Sequence, residues 1–175
     1  TGGGELLLRV AHLFGSGHAI DRSDAMLAAA ERNFAAAGVS HVAFASMDTA
    51  HLDFTAGTFD AVINRHAPFD IGEVARVLKP GGYFVTQQVA DGNAQSLFDC
   101  FEWDGSFPDE WRVTLRERVP EFERHGLRVV GLADYSVNWW IEDLPSLLFW
   151  LKSVPTPSEF EIERHWQGIN QAEAT

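Results

Sequence analysis

The stretch HAIDRSDAMLAAAERNFAAAGVSHVAFA, residues 18–45, carries the decision about the fold. His18-Ala19-Ile20-Asp21 predicts a short strand ending in an acid. Ser23 is a natural N-cap, and behind it Met26, Leu27, Ala30, Phe34 and Ala37 recur at helical spacing until Gly38 stops the run. Val42-Ala43-Phe44-Ala45 predicts a second strand. A strand, an amphipathic helix and a strand with short joints form the unit that lays two strands side by side in parallel.

The same alternation continues outward. Phe59-Asp60-Ala61-Val62-Ile63 predicts a third strand behind the turn residues Ala56-Gly57. A helix is expected over Glu73–Leu78, halted at Lys79-Pro80-Gly81-Gly82, and a further strand over Tyr83–Val89. Upstream, Glu5–Phe14 (ELLLRVAHLF) is apolar on more than one face and predicts a buried helix, entered from Thr1-Gly2-Gly3-Gly4 and stopped by Gly15-Ser16-Gly17. The expected fold class is therefore α/β, a doubly wound, mostly parallel sheet with helices on both faces. Downstream the pattern loosens. Asp91–Pro108 reads as irregular and aromatic, Trp111–His125 as helix, Leu127–Ile141 as a strand-like run, Leu144–Leu151 as a short helix and Ser158–Ala174 as an acidic helical tail. With no internal repeat or linker, residues 1–175 are expected to form one domain, its first 90 residues carrying the binding core and the rest the substrate side.

Composition narrows the partners. The chain has 175 residues, 46% hydrophobic and 22% charged, which excludes a disordered tail. Apolar runs such as Leu147–Leu151 are too short to cross a bilayer. A single cysteine, Cys100, leaves no disulfide framework and suits a reducing, cytoplasmic compartment. Twenty-five acidic against 13 basic residues give a net charge of −12, and the cations are scattered. Nucleic acid and anionic membranes are thus poor partners, and a small-molecule substrate fits better. Monomer and homodimer are both compatible with the sequence.

Ligands of open α/β sheets lie beyond the carboxyl ends of the strands, so the residues there are the candidates. They are the Gly2-Gly3-Gly4 loop at a helix start, Asp21, Asp48 with its neighbour Met47, and Asn64-Arg65-His66. Glycines let a backbone approach a ligand, and an acid after a strand accepts from ribose hydroxyls. Each has a plainer alternative: a flexible end, carboxylates that cap the next helix, a surface histidine. Their order along one sheet weighs against those alternatives. The remaining histidines, His12, His18, His41, His51, His125 and His165, have no ligand spacing, so no metal is expected. All six tryptophans follow residue 100; Trp150 and Trp166 are expected to pack, and the Trp103–Trp111 segment to play a mixed role, part packing and part substrate pocket.

Four segments together resemble a class I S-adenosylmethionine-dependent methyltransferase of the type 11 methyltransferase-domain kind. They are Thr1–Glu5, Ala19–Ser23, Phe59–Val62 and Glu73–Phe84, and Glu-x-x-Arg-Val-Leu-Lys-Pro-Gly-Gly is the most specific piece. The resemblance implies S-adenosylmethionine as cofactor and S-adenosylhomocysteine as product. It implies that Thr1, Gly2, Gly3 and Gly4 pass under the methionine part and ribose, and that Asp21 holds the ribose hydroxyls with Arg22 near the adenine. Met47 and Asp48 would contact the adenine, and Asn64 the methionine end. His66, following the same strand, is the candidate general base. Relatives carry a strand before the glycine loop and another after the final helix, so this chain is expected to be a portion of a longer enzyme. Two other readings stand beside this one. A nicotinamide-dependent oxidoreductase would need glycine where Glu5 stands, and a non-catalytic methyltransferase-like partner subunit would need no chemistry.

Overall fold

The computed structural model describes residues 2–89, 93–103, 114–138, 140–154 and 156–173. The chain divides into two compact units, one of residues 1–88 and 124–127, the other of 89–123 and 128–175.

In the first unit, α1 (Glu5–Val10) runs into a short 3-10 turn (Ala11–Leu13), followed by β1 (Gly17–Asp21), α2 (Asp24–Ala36), β2 (Val42–Ser46), β3 (Phe59–Arg65), α3 (Ile71–Val77) and β4 (Leu78–Gln87). The strands pair in parallel, in two separate pairs. β1 lies on β2 with Gly17 opposite Val42 and Asp21 opposite Ser46. β3 lies on β4 with Ala61 opposite Tyr83 and Arg65 opposite Gln87. Ser23 caps α2 as its sequence foretells, accepting from the Met26 N–H at 3.3 Å. Leu27, Ala30 and Phe34 bury the inward stripe of that helix. Phe34 and Ala19 join Ala11 and Val42 in a core against which Leu7, Leu8, Phe14, Val39 and Phe44 pack. The segment 5–14 is less buried than its composition suggests. Leu6 and Leu13 face solvent, because only one side of α1 meets that core.

Two boundaries differ from the sequence expectation in an instructive way. α3 starts at Ile71 because Asp70 caps it, accepting from the Glu73 N–H at 2.7 Å. Lys79-Pro80-Gly81-Gly82 is not a plain turn between helix and strand. Leu78 already pairs with Phe59, and the four residues bulge out before Tyr83 rejoins the ladder at Ala61. Gly82 is needed there, since a Cβ would lie 3.0 Å from the Lys79 carbonyl and 3.1 Å from that of Asp60.

The Glu73-x-x-Arg76 pair of α3 holds the loop between β2 and β3. Arg76 bonds both Glu73 oxygens and donates to the carbonyls of Phe54 at 2.5 Å and Leu52 at 2.7 Å. Glu73 in turn accepts from the Leu52 N–H at 2.8 Å. The Arg76 hydrogen bond and the Leu52 N–H hold the Glu73 carboxyl down to about 2, against 4.5 for a free side chain. The stabilisation from this clamp is complete above the unfolded value and is lost as pH falls through the folded one. Melting curves between pH 5 and 2 should therefore show a smaller loss in Glu73→Gln than in the parent chain, the remainder belonging to other carboxylates such as Asp21.

The second unit contains α4 (Gln95–Phe98), α5 (Val119–Arg124, whose last residue belongs to the first unit), α6 (Leu144–Ser153) and α7 (Trp166–Glu173). Its core is Phe101, Leu147, Leu151 and Ile169, lined by Trp103, Trp150 and Phe160 among others. Trp150 packs as expected, whereas Trp166 is half exposed. Trp111 and Trp139 lie outside the described residues. The strand-like run Leu127–Ile141 forms no strand among its described residues. Val130, Tyr135 and Val137 stay about two-thirds exposed, so the alternation buries no apolar face. Among the described residues no helix is long and apolar enough to cross a membrane.

Candidate functional site

The first unit brings most of the candidate residues together at the carboxyl ends of β1 and β2. Asp21, the last residue of β1, accepts from the Ser23 N–H through Oδ1 and from the Gly2 N–H through Oδ2, both at 3.0 Å. Its carboxylate does not cap α2, a task left to Ser23. It ties the glycine loop to the strand end instead. Burial pushes the Asp21 carboxyl up, but hydrogen bonds from the Ser23 and Gly2 backbone, with further contributions, bring it to about 2. It is an anion throughout the physiological range, and an ionised carboxylate only accepts hydrogen bonds.

The loop itself is set by its glycines. Gly4 sits at φ 78, its missing Cβ replaced by Ala30 and Phe34 of α2 pressing at 3.0 and 3.1 Å. Gly2, at φ 55, has open space around it. The Gly3 carbonyl accepts from the Asn33 side chain at 2.8 Å, so α2 holds the loop from below. Thr1 lies outside the described residues. Arg22 is exposed beside Asp21.

One strand over, the Met47 N–H donates to the Asp21 carbonyl at 3.1 Å, placing β2's exit beside β1's. Met47 Sδ accepts from the Asp53 N–H at 3.3 Å. Asp48 is exposed and accepts from the Ala50 N–H at 2.9 Å, a local turn and not a helix cap.

Asn64 and His66 stand at the end of β3, which runs two residues past its predicted stop. His66 takes a left-handed φ of 52 and donates its backbone N–H to the Gln87 carbonyl at 2.9 Å. A histidine held there marks a position where the surroundings over-determine the backbone. Partial burial, helped by the charge of Arg65, lowers the His66 pKa from its ordinary 6.5, which favours the neutral imidazole. Asn64 is half buried, and its Oδ1 accepts from Thr86 and Gln88 of the neighbouring β4 segment at 3.2 and 2.6 Å. The sequence reading missed Thr86 and Gln88. Their alternation on β4, in register with Asn64, is the signal that could have found them.

Comparison with known proteins meets this geometry. Residues 1–82 match the family described as "Methyltransferase domain". A fatty-acid O-methyltransferase of Mycolicibacterium smegmatis (strain ATCC 700084 / mc(2)155) is 34% identical over 92 residues, 49% of this chain and 32% of that protein. The chain thus spans about a third of the length of that curated relative. Among solved structures, the complex between the Haloferax volcanii Trm112 methyltransferase activator and a methyltransferase aligns at 25% identity and a TM-score of 0.59, over 79% of this chain and 64% of that one. The [4+2]-cyclase SpnF aligns at 24% identity and a TM-score of 0.56, over 71% and 48%, a likeness of fold alone. With its parallel strands and interleaved helices the chain has the Rossmann-like α/β fold of these neighbours, and its residues 1–82, a little under half of it, carry the match to the methyltransferase-domain family.

Proposed function

We propose that the protein binds S-adenosylmethionine at the Gly2–Gly4 loop and transfers its methyl group to a small-molecule acceptor. The observation that carries this reading is the Asp21 carboxylate, ionised and hydrogen-bonded to the Gly2 N–H beside the Met47 strand end. The donor set fits the cofactor. Asp21 offers acceptors for a ribose diol, the open space around Gly2 admits a ligand near the backbone, and Asp48 offers an acceptor for an exocyclic amine. Arg22 flanks the adenine side and Asn64 the methionine side.

The cofactor brings an activated methyl group on a sulfonium, open to in-line attack. The protein's task is then alignment and exclusion of water. His66 is the proposed base for an acceptor that must lose a proton, and its lowered pKa keeps the imidazole ready to accept one. For an alcohol or amine acceptor, His66→Gln should cut kcat by about 100-fold or more. A carboxylate acceptor, already ionised, should lose nothing. The net charge of −12 and the small acceptor named for the Mycolicibacterium smegmatis relative both support a small-molecule substrate.

The test is calorimetry of the full chain with S-adenosylhomocysteine and, in parallel, with NADH, followed by product assays on fatty acids and other small acceptors. Binding of S-adenosylhomocysteine alone is expected. Heat with NADH alone, or with neither ligand, overturns the reading.

A further inference from the structure

At the ends of β3 and β4 four polar groups interlock, and one backbone carbonyl sets the polarity of them all. The Gln88 Nε2 lies 2.6 Å from Asn64 Oδ1, 2.9 Å from Thr86 Oγ1 and 3.2 Å from the Ala67 carbonyl oxygen. The Thr86 hydroxyl donates to the same Asn64 Oδ1 at 3.2 Å. A backbone carbonyl only accepts. Gln88 must therefore turn its NH2 toward Ala67, since the opposite orientation would set oxygen against oxygen. That NH2 also meets Asn64, which has to answer with its own oxygen. With Oδ1 taken by two donors, the Asn64 Nδ2 and its two hydrogens remain, without a partner among the described residues. Asn64 is half buried, so this nitrogen is within reach of a ligand.

We propose that Gln88 and Thr86 are positioning residues that lock the Asn64 amide with its N–H donors outward, so that the site receives a carboxylate at this point. The inference rests on the cofactor reading given above. A fixed pair of neutral donors suits an anionic oxygen, because each hydrogen bond is then charge-assisted and no acceptor atom stands in the way. Two ligands could present that carboxylate, the amino-acid arm of the cofactor or a carboxylic acid acceptor.

The experiment uses the full chain labelled with nitrogen-15 and two probes. S-adenosylhomocysteine carries the carboxylate, and 5′-methylthioadenosine lacks the whole amino-acid arm. Gln88→Glu sets an acceptor against Ala67 and Asn64, and is expected to weaken S-adenosylhomocysteine about 10-fold while leaving methylthioadenosine unchanged. Thr86→Val should lose affinity in the same direction, and Thr86→Ser should restore it. In spectra of the parent chain the Asn64 side-chain NH2 pair should move with S-adenosylhomocysteine and not with methylthioadenosine. Movement only when a fatty acid is added to the S-adenosylhomocysteine complex supports the lock equally and assigns the carboxylate to the acceptor. An Asn64 pair unmoved by either carboxylate, or Gln88→Glu binding whichever carboxylate moves that pair as tightly as the parent does, overturns the proposal. Should the parent bind neither probe, the cofactor reading fails, and the lock is still judged in the free protein. There Gln88→Glu must shift the Asn64 NH2 pair, and no shift overturns it.

Discussion

Gly4→Val should cost about 3–5 kcal/mol and unfold the first unit at temperatures the parent chain withstands. Two effects add. The residue sits at φ 78, where a β-branched side chain is strained, and its first carbon would meet Ala30 Cβ at 3.0 Å and Phe34 Cε2 at 3.1 Å. Neither neighbour can retreat. Ala30 is fully buried and Phe34 is 1% exposed at the centre of the core. Gly2→Ala separates the two effects, because Gly2 shares the positive φ but has nothing within 4 Å. It should cost only about 1 kcal/mol. Urea unfolding of the three chains measures the difference, and equal costs for the two variants would mean that the packing under Gly4 is unimportant.

Asp21→Ala should lower the affinity for S-adenosylhomocysteine by about 100-fold while the chain stays folded. The carboxylate loses its proposed ribose contacts, and the Gly2 and Ser23 N–H groups lose their acceptor. Because the Asp21 pKa is about 2, its ionisation does not change above pH 4. A titration series from pH 5 to 8 should show no change in affinity arising from this group. A variant that binds like the parent would mean the acid merely fastens the loop.

Where two signals agreed, the sequence was explicit. Ser23, the apolar stripe through Phe34 and the stop at Gly38 define α2 because cap, period and terminator all act locally. Asp21 was legible for a similar reason, since the last residue of a short strand before a cap has few places to point. What depended on a distant partner was hidden. The run 127–141 has strand composition, yet its described residues pair with no other strand. Lys79–Gly82 looks like a stop until β3 is laid beside it. The Glu73-x-x-Arg76 motif was visible as a pattern, yet its role in tethering Leu52 and Phe54 belongs to a loop some twenty residues away. Gln88 carried no role in the sequence reading, because its meaning lies in the Ala67 carbonyl and not in its own side chain.

That carbonyl has an evolutionary consequence. Every amino acid has the same main-chain oxygen, so drift at position 67 leaves the polarity of the network untouched as long as the backbone path is kept. The side chains that read it have no such freedom. An aspartate at 64 would set oxygen toward the ligand, and a glutamate at 88 would oppose both its neighbours, so either change becomes tolerable only with a compensating one. Positions 64, 86 and 88 should therefore drift as a group, with position 67 free to vary beside them.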